Sequence, residues 1–147
     1  MKLSTRSRYG TRLMIDLAQN GSDRPINLTE IANRQGLSVK YLEQLIIPLK
    51  REGIIRSIRG PQGGYELAVD PEKVTIGRIV EALEGGMALS DCVAHPEQCI
   101  RSGSCLTRDL WKDATDAVYA TFDSVTLAAA LRRGETGNRK RGEGGPL

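Results

Sequence analysis

Aromatic side chains are scarce in this chain, with one tryptophan, one phenylalanine and four tyrosines among 147 residues. A single domain of this length buries a modest core, and here that core has little aromatic material to draw on. No apolar run approaches the length of a membrane span, and no charged-then-apolar signal segment opens the sequence. The expected location is therefore cytoplasmic, with no membrane partner. Nucleotide-binding glycine loops, a catalytic triad and a second carboxylate cluster are all missing, so an enzyme is not expected. Cysteine is equally sparse, but its three copies, Cys92, Cys99 and Cys105, fall within fourteen residues. In a cytosolic protein, an odd and clustered set points to metal or redox chemistry before structural disulfides.

The charge that is present is unevenly spread. Residues 1–60 hold eleven of the 21 basic side chains and five of the 18 acidic ones, a balance of +6, which leaves −3 for the remainder. A solvated basic face gives the same balance, so charge alone does not decide its meaning. Periodicity adds to it. Tyr9, Leu13, Met14, Leu17 and Ala18 form one stripe of a first helix over 7–19. Asn27 with Glu30 reads as a capping box opening a second helix, which Gly36 stops. Ser38 caps a third, whose inner stripe is Tyr41, Leu42, Leu45, Ile46 and Leu49, leaving Lys40, Glu43, Gln44 and Ile47 outward. Pro48 inside this pattern predicts a kink or a locally broken turn.

Beyond Gly53 the period shortens. Residues 54–59 and 65–69 read as strands joined by Gly60-Pro61-Gln62-Gly63-Gly64, a hairpin directly after a helix-turn-helix. That order is a winged helix, which lays its third helix in the major groove of double-stranded DNA and its hairpin tip on the backbone or minor groove. Ser38, Lys40, Tyr41, Glu43 and Gln44 are then candidate DNA contacts on the third helix. A Glu43 carboxylate suits cytosine N4 and a Gln44 amide suits adenine. Lys50 and Arg51 suit phosphates, and Arg59 suits a narrow minor groove. Winged helices also serve as protein-docking modules, so fold alone leaves that alternative open.

Further helices are expected over 75–84, over 107–121 with Leu110, Trp111, Ala114 and Val118 on one face, and over a short stretch ending at Arg133. The tail from Gly134 has almost no apolar content and reads as disordered. Between these lies DCVAHPEQCIRSGSC, polar and without a core for thiols to pack in. Three thiolates suit an iron–sulfur cluster, zinc or copper(I). The Cys-x6-Cys-x5-Cys spacing lacks the tight knuckle of structural zinc and is wide enough to wrap a multinuclear cluster. A disulfide switch, or three reduced thiols without a role, fit the same residues.

Taken together, LSTRSRYGTRLMIDLA, YLEQLIIPLKREG, RSIRGPQGGYEL and the three cysteines followed by CLTRDLW resemble the IscR-type regulators, dimeric winged-helix transcription factors of bacteria. The likeness covers about residues 1–130. It implies a mainly α fold with a small β-hairpin, a winged helix-turn-helix plus a long dimerisation helix. It also implies cluster ligation by Cys92, Cys99 and Cys105, recognition residues within 38–44, and Arg59 as the wing arginine. One position departs from the family. Its 2Fe–2S members place a histidine three residues after the last cysteine, where this chain has Arg108, and a guanidinium offers no lone pair. Asp91, His95 and Asp109 are the neighbouring candidates for a fourth ligand, and a 4Fe–4S cluster on three cysteines is an alternative to 2Fe–2S.

The resulting expectation is a homodimeric, cytoplasmic transcription regulator acting on a palindromic operator and sensing iron–sulfur status, redox or nitric oxide. Its parts would be a DNA-binding domain over 1–89, a cysteine loop over 90–106, dimerisation and short terminal helices over 107–133, and a tail over 134–147. A zinc- or thiol-controlled regulator without a cluster is the alternative. A cluster-carrying electron-transfer or enzyme component, docking through its winged helix, is the alternative of another class.

Overall fold

The computed structural model describes residues 2–142, with the backbone alone for 137–142. Helix α1 (Thr5–Asn20) starts where the Ser4 hydroxyl accepts from the Ser7 N–H at 3.2 Å, satisfying one of the free amides of the first turn. Helix α2 (Leu28–Gln35) opens at Asn27, whose side chain accepts from the Glu30 N–H at 3.0 Å. It ends at Gly36, left-handed at φ 65°, a conformation that costs a side-chain-bearing residue about 1–2 kcal/mol. Helix α3 (Val39–Arg51) follows, with the Ser38 hydroxyl accepting from the Tyr41 N–H at 3.1 Å. Pro48 does not break it. The helix runs on to Arg51 with Pro48 buried, and the Pro48 carbonyl accepts from the Glu52 N–H at 3.1 Å.

The wing is shorter than its apolar pattern suggests: β1 (Ile55–Ile58) pairs antiparallel with β2 (Gly64–Leu67), Ile55 opposite Leu67 and Ile58 opposite Gly64. Ile26 bridges Tyr65, its N–H and C=O bonded to that residue at 2.9 and 2.8 Å, so the segment entering α2 is tied to the wing. Helix α4 (Ile76–Glu84) is capped by Thr75. The cysteine segment is not an open loop throughout. It holds the short helix α5 (Asp91–Ala94) and a 3₁₀ turn (Pro96–Gln98) before the long helix α6 (Leu106–Asp123).

Helix α7 (Leu127–Gly142) corrects the reading of the C-terminus. Leu127 is fully buried in the same core as Leu13, Leu17 and Ile79, and its N–H donates to the Val74 carbonyl at 2.8 Å. The last helix is therefore part of the winged-helix core. Its backbone continues past Gly134, where the polar composition suggested disorder. A turn already anchored by buried residues adds one hydrogen bond for each residue it fixes, so the costly nucleation step is avoided. The rest of the expected tail, 143–147, lies outside the described residues.

The core is aliphatic, as the lack of aromatics requires. Leu42, Leu45 and Leu49 of α3 meet Leu13, Met14 and Leu17 of α1, with Ile31, Ile54, Ile55 and Ile79 closing the sides. Asp16 is a buried exception. It accepts from the Arg34 guanidinium at 2.6 and 3.1 Å and from the Gln35 amide at 2.8 Å, fastening α1 to α2. Burying that carboxylate is tolerable because its lone pairs are matched by charged and polar donors.

Candidate nucleic-acid interface and cysteine loop

The left-handed stop at Gly36 and the Ser38 cap turn α3 across α2 and bury its leucine stripe. The opposite strip is left in solvent: Lys40, Glu43, Gln44, Ile47, Lys50 and Arg51 are all exposed. Ser38 is exposed too, though its hydroxyl is engaged as the cap. Tyr41 departs from the remaining candidate contacts. It is half-buried, its ring edge-on to Tyr9 at 6.0 Å, and its hydroxyl is buried without a hydrogen-bond partner. The Arg8 and Arg12 guanidiniums lie 5.7 and 5.3 Å from the Tyr9 ring centroid, which draws two more cations towards the start of α3. Those contacts escape sequence reading, because an aromatic pair across two helices leaves no local spacing.

Lys50 and the wing are brought together: its ammonium donates to the Ser57 hydroxyl at 2.9 Å. Arg59 is exposed at the head of the Gly60–Gly63 turn, and with Arg24, Asn27 and Glu30 it lines a groove between the wing and the start of α2. Arg56 is committed elsewhere, in a 2.6 Å ion pair with Glu66 across the strands. The α3 strip meets the wing at Lys50 and Ser57, and Arg59 stands exposed further along the same strand direction, at the hairpin turn. Together they have the amide, carboxylate and cations that base edges and phosphates accept.

The cysteine loop is joined to this unit through α6 and α4. The Leu89 N–H donates to the buried Thr115 hydroxyl at 3.1 Å, and Arg108 Nε donates to the Cys92 carbonyl at 3.0 Å, so the loop's first turn is held on α6. The Tyr119 hydroxyl donates to Glu81 at 3.0 Å and the Thr75 hydroxyl to Asp123 at 2.6 Å, fastening α6 along α4. Both the Ser4 and Ser7 hydroxyls donate to one oxygen of Glu84, clasping the end of α4 to the start of α1. Burial pushes the Glu84 carboxyl up, but the two hydroxyls and the Arg6 charge outweigh it and hold it below the usual glutamate range.

All three thiols are free and half-buried. Cys92 Sγ lies 3.2 Å from the Ser90 hydroxyl and Cys105 Sγ 3.2 Å from the Thr107 hydroxyl. The Thr107 hydroxyl, the Arg108 backbone and the Arg101 charge bring the Cys105 thiol below its ordinary range, which favours the thiolate form that binds metal. Of the fourth-ligand candidates, His95 is 3.6 Å from Glu97, Asp109 is 4.0 Å from Arg108, and both are exposed, as is Asp91. The donor set fits a thiophilic group in its chemistry. Its arrangement is open: among the described residues no three Cys, His, Asp or Glu side chains converge to hold a metal ion.

The sequence pattern of the Rrf2 family, described as an iron-dependent transcriptional regulator, matches residues 3–133. Protein rrf2 of Nitratidesulfovibrio vulgaris is 46% identical over 132 residues, covering 90% of this chain and 88% of that protein. Two solved structures are similar in fold. T. potens IscR has a TM-score of 0.76 and 37% identity, covering 93% of this chain and 90% of that one. CymR, the global cysteine regulator of B. subtilis, has a TM-score of 0.74 and 38% identity over 90% and 98%.

Proposed function

We propose, for a chain that belongs to the Rrf2 family of transcriptional regulators, that DNA binding by the winged helix is governed by an iron–sulfur cluster held on Cys92, Cys99 and Cys105. As a member of that family the chain regulates transcription by binding DNA, and it is not an enzyme. The observation that carries the cluster reading is three free thiols on one loop whose first turn is pinned to α6 by Arg108 and Thr115. Closure of the rest of that loop brings Cys99 and Cys105 to Cys92, with Asp91, His95 or Asp109 able to complete the set. Arg108 takes no part as a ligand; its guanidinium orients the Cys92 backbone instead.

When bound, such a cluster supplies a link between the three thiolates that iron shortage, oxidation or nitric oxide breaks. The protein's own part is mechanical. A change in the loop reaches α4 through α6 and reaches α1 through the Glu84 clasp, and α1 and α3 share one core. We place a second copy of the chain on the outer face of α6. That 18-residue helix buries only Thr115 and leaves Leu106, Leu110 and Trp111 82%, 61% and 47% exposed. Two-fold symmetry then pairs two recognition helices with two half-sites about one helical turn apart.

Protein isolated without oxygen is expected to carry iron and acid-labile sulfide with visible absorption, all lost in Cys92→Ala, Cys99→Ala and Cys105→Ala. Stoichiometric zinc without iron or sulfide overturns the reading. A thiol-controlled regulator without a cluster is the second reading, favoured by the lowered Cys105 thiol and by the likeness to a cysteine regulator. Its signature is a reversible disulfide in metal-free protein.

A further inference from the structure

Ile47 is an anomaly on the outward strip of α3. It is 57% exposed, more than any other large apolar side chain described in residues 2–99. It stands three and four residues from Gln44 and Glu43 on one side, and three and four from Lys50 and Arg51 on the other. At helical spacing that puts it on the midline of the strip, with a polar or charged neighbour in each direction. A single exposed hydrophobe is ordinary on a protein surface. An isoleucine at the centre of a strip otherwise made of one amide and charges is a different matter, because that strip is the one proposed to meet the bases.

We infer that Ile47 is a specificity-determining residue that reads the C5 methyl of a thymine in the major groove. The inference rests on the reading that α3 lies in that groove. Thymine alone presents an apolar group there, and apolar side chains recognise it by contact. A β-branched side chain on a helix holds one dominant χ1 rotamer, so the methyl groups of Ile47 are presented with little freedom left to lose. Gln44 and Glu43 beside it carry the hydrogen bonds to neighbouring bases, while Ile47 covers a methyl that would otherwise stay in water.

The test uses the full chain and a duplex selected by the wild-type protein from a random pool. Each thymine is replaced singly by deoxyuridine, which lacks only the C5 methyl, and the wild type, Ile47→Ala and Gln44→Ala are titrated on every duplex. One deoxyuridine position per half-site is expected to weaken the wild type about fourfold, the factor that one buried methyl-sized group supplies. The same substitution should leave Ile47→Ala unaffected, and Gln44→Ala should keep the penalty while losing preference at a different base. Half-sites without a thymine, or a deoxyuridine penalty that persists in Ile47→Ala, overturn the inference. If Gln44→Ala still discriminates less than the wild type in that case, the reading of α3 stands and the role of Ile47 falls alone. If neither variant alters discrimination between selected and scrambled duplexes, both fall.

Discussion

Gln44 and Lys50 occupy the same exposed strip of α3, yet their chemistry separates the roles proposed for them in DNA binding. An amide able to grip adenine at two points carries sequence information, whereas an ammonium on a phosphate carries affinity alone. Gln44→Ala is expected to cost about 1–3 kcal/mol on the preferred operator and to relax one base position per half-site. Lys50→Ala is expected to weaken all duplexes alike and to lower the salt slope by about one for each phosphate no longer neutralised. Titrations on matched and scrambled duplexes at several salt concentrations separate the two. Glu84 gives a second prediction. Its carboxyl is lowered in the fold, so its stabilising contribution is complete above the ordinary value of 4.5 and is lost as pH falls through the lowered one. Urea midpoints should place the wild type above Glu84→Gln at neutral pH, and that advantage should shrink below about pH 4.5. A constant difference would mean that the clasp does not depend on the charge. The outward positions of α3, the Asn27 and Ser38 caps and the Gly36 stop are legible in the sequence, because each is a local rule of spacing. The Glu84 clasp is not, since Ser4 and Glu84 stand 80 residues apart.

Among the helices, α6 is the one whose sequence and burial disagree most. Its apolar face predicts a packed helix, and within one chain that face is largely bare. Leu110→Glu is therefore expected to convert a dimer to a monomer in sedimentation velocity with the helical content unchanged. A variant that stays dimeric would move the interface elsewhere. Close packing of α1 on α4 depends on Gly10, where a Cβ would overlap the Leu83 side chain. Gly10→Ala is expected to cost about 1–3 kcal/mol in chemical denaturation, as overpacked cores do. Periodicity places these helices to within two residues at most ends but stops the last one short. Polar composition reports what a segment can bury, and α7 is carried forward from Leu127, whose burial is a tertiary fact. Pro48 has no N–H for the Gln44 carbonyl, so one helix bond is absent there, yet the helix does not end. The helix accommodates it at a buried position near its end, where the turns on either side are held by the Leu45 and Leu49 packing.

Across the whole molecule, the cysteine loop, α6, α4 and α1 form a continuous chain of hydrogen bonds and packed side chains leading to α3. Such a connection is a route for coupling only if two states of the loop differ in their affinity for DNA. Motifs make the two ends of this route visible, the winged helix by its periodicity and the loop by its thiols. The links between them are side-chain contacts over long sequence separations and leave no pattern. Control of DNA binding by the cysteine loop is tested by the operator affinity of anaerobically isolated protein, measured before and after any cluster is stripped with a chelator, with the Cys92→Ala variant alongside. The two states of the wild type are expected to differ at least about fivefold, and those of the variant not at all. Equal affinity in both states would contradict such control, leaving a DNA-binding protein whose cysteines do not govern it.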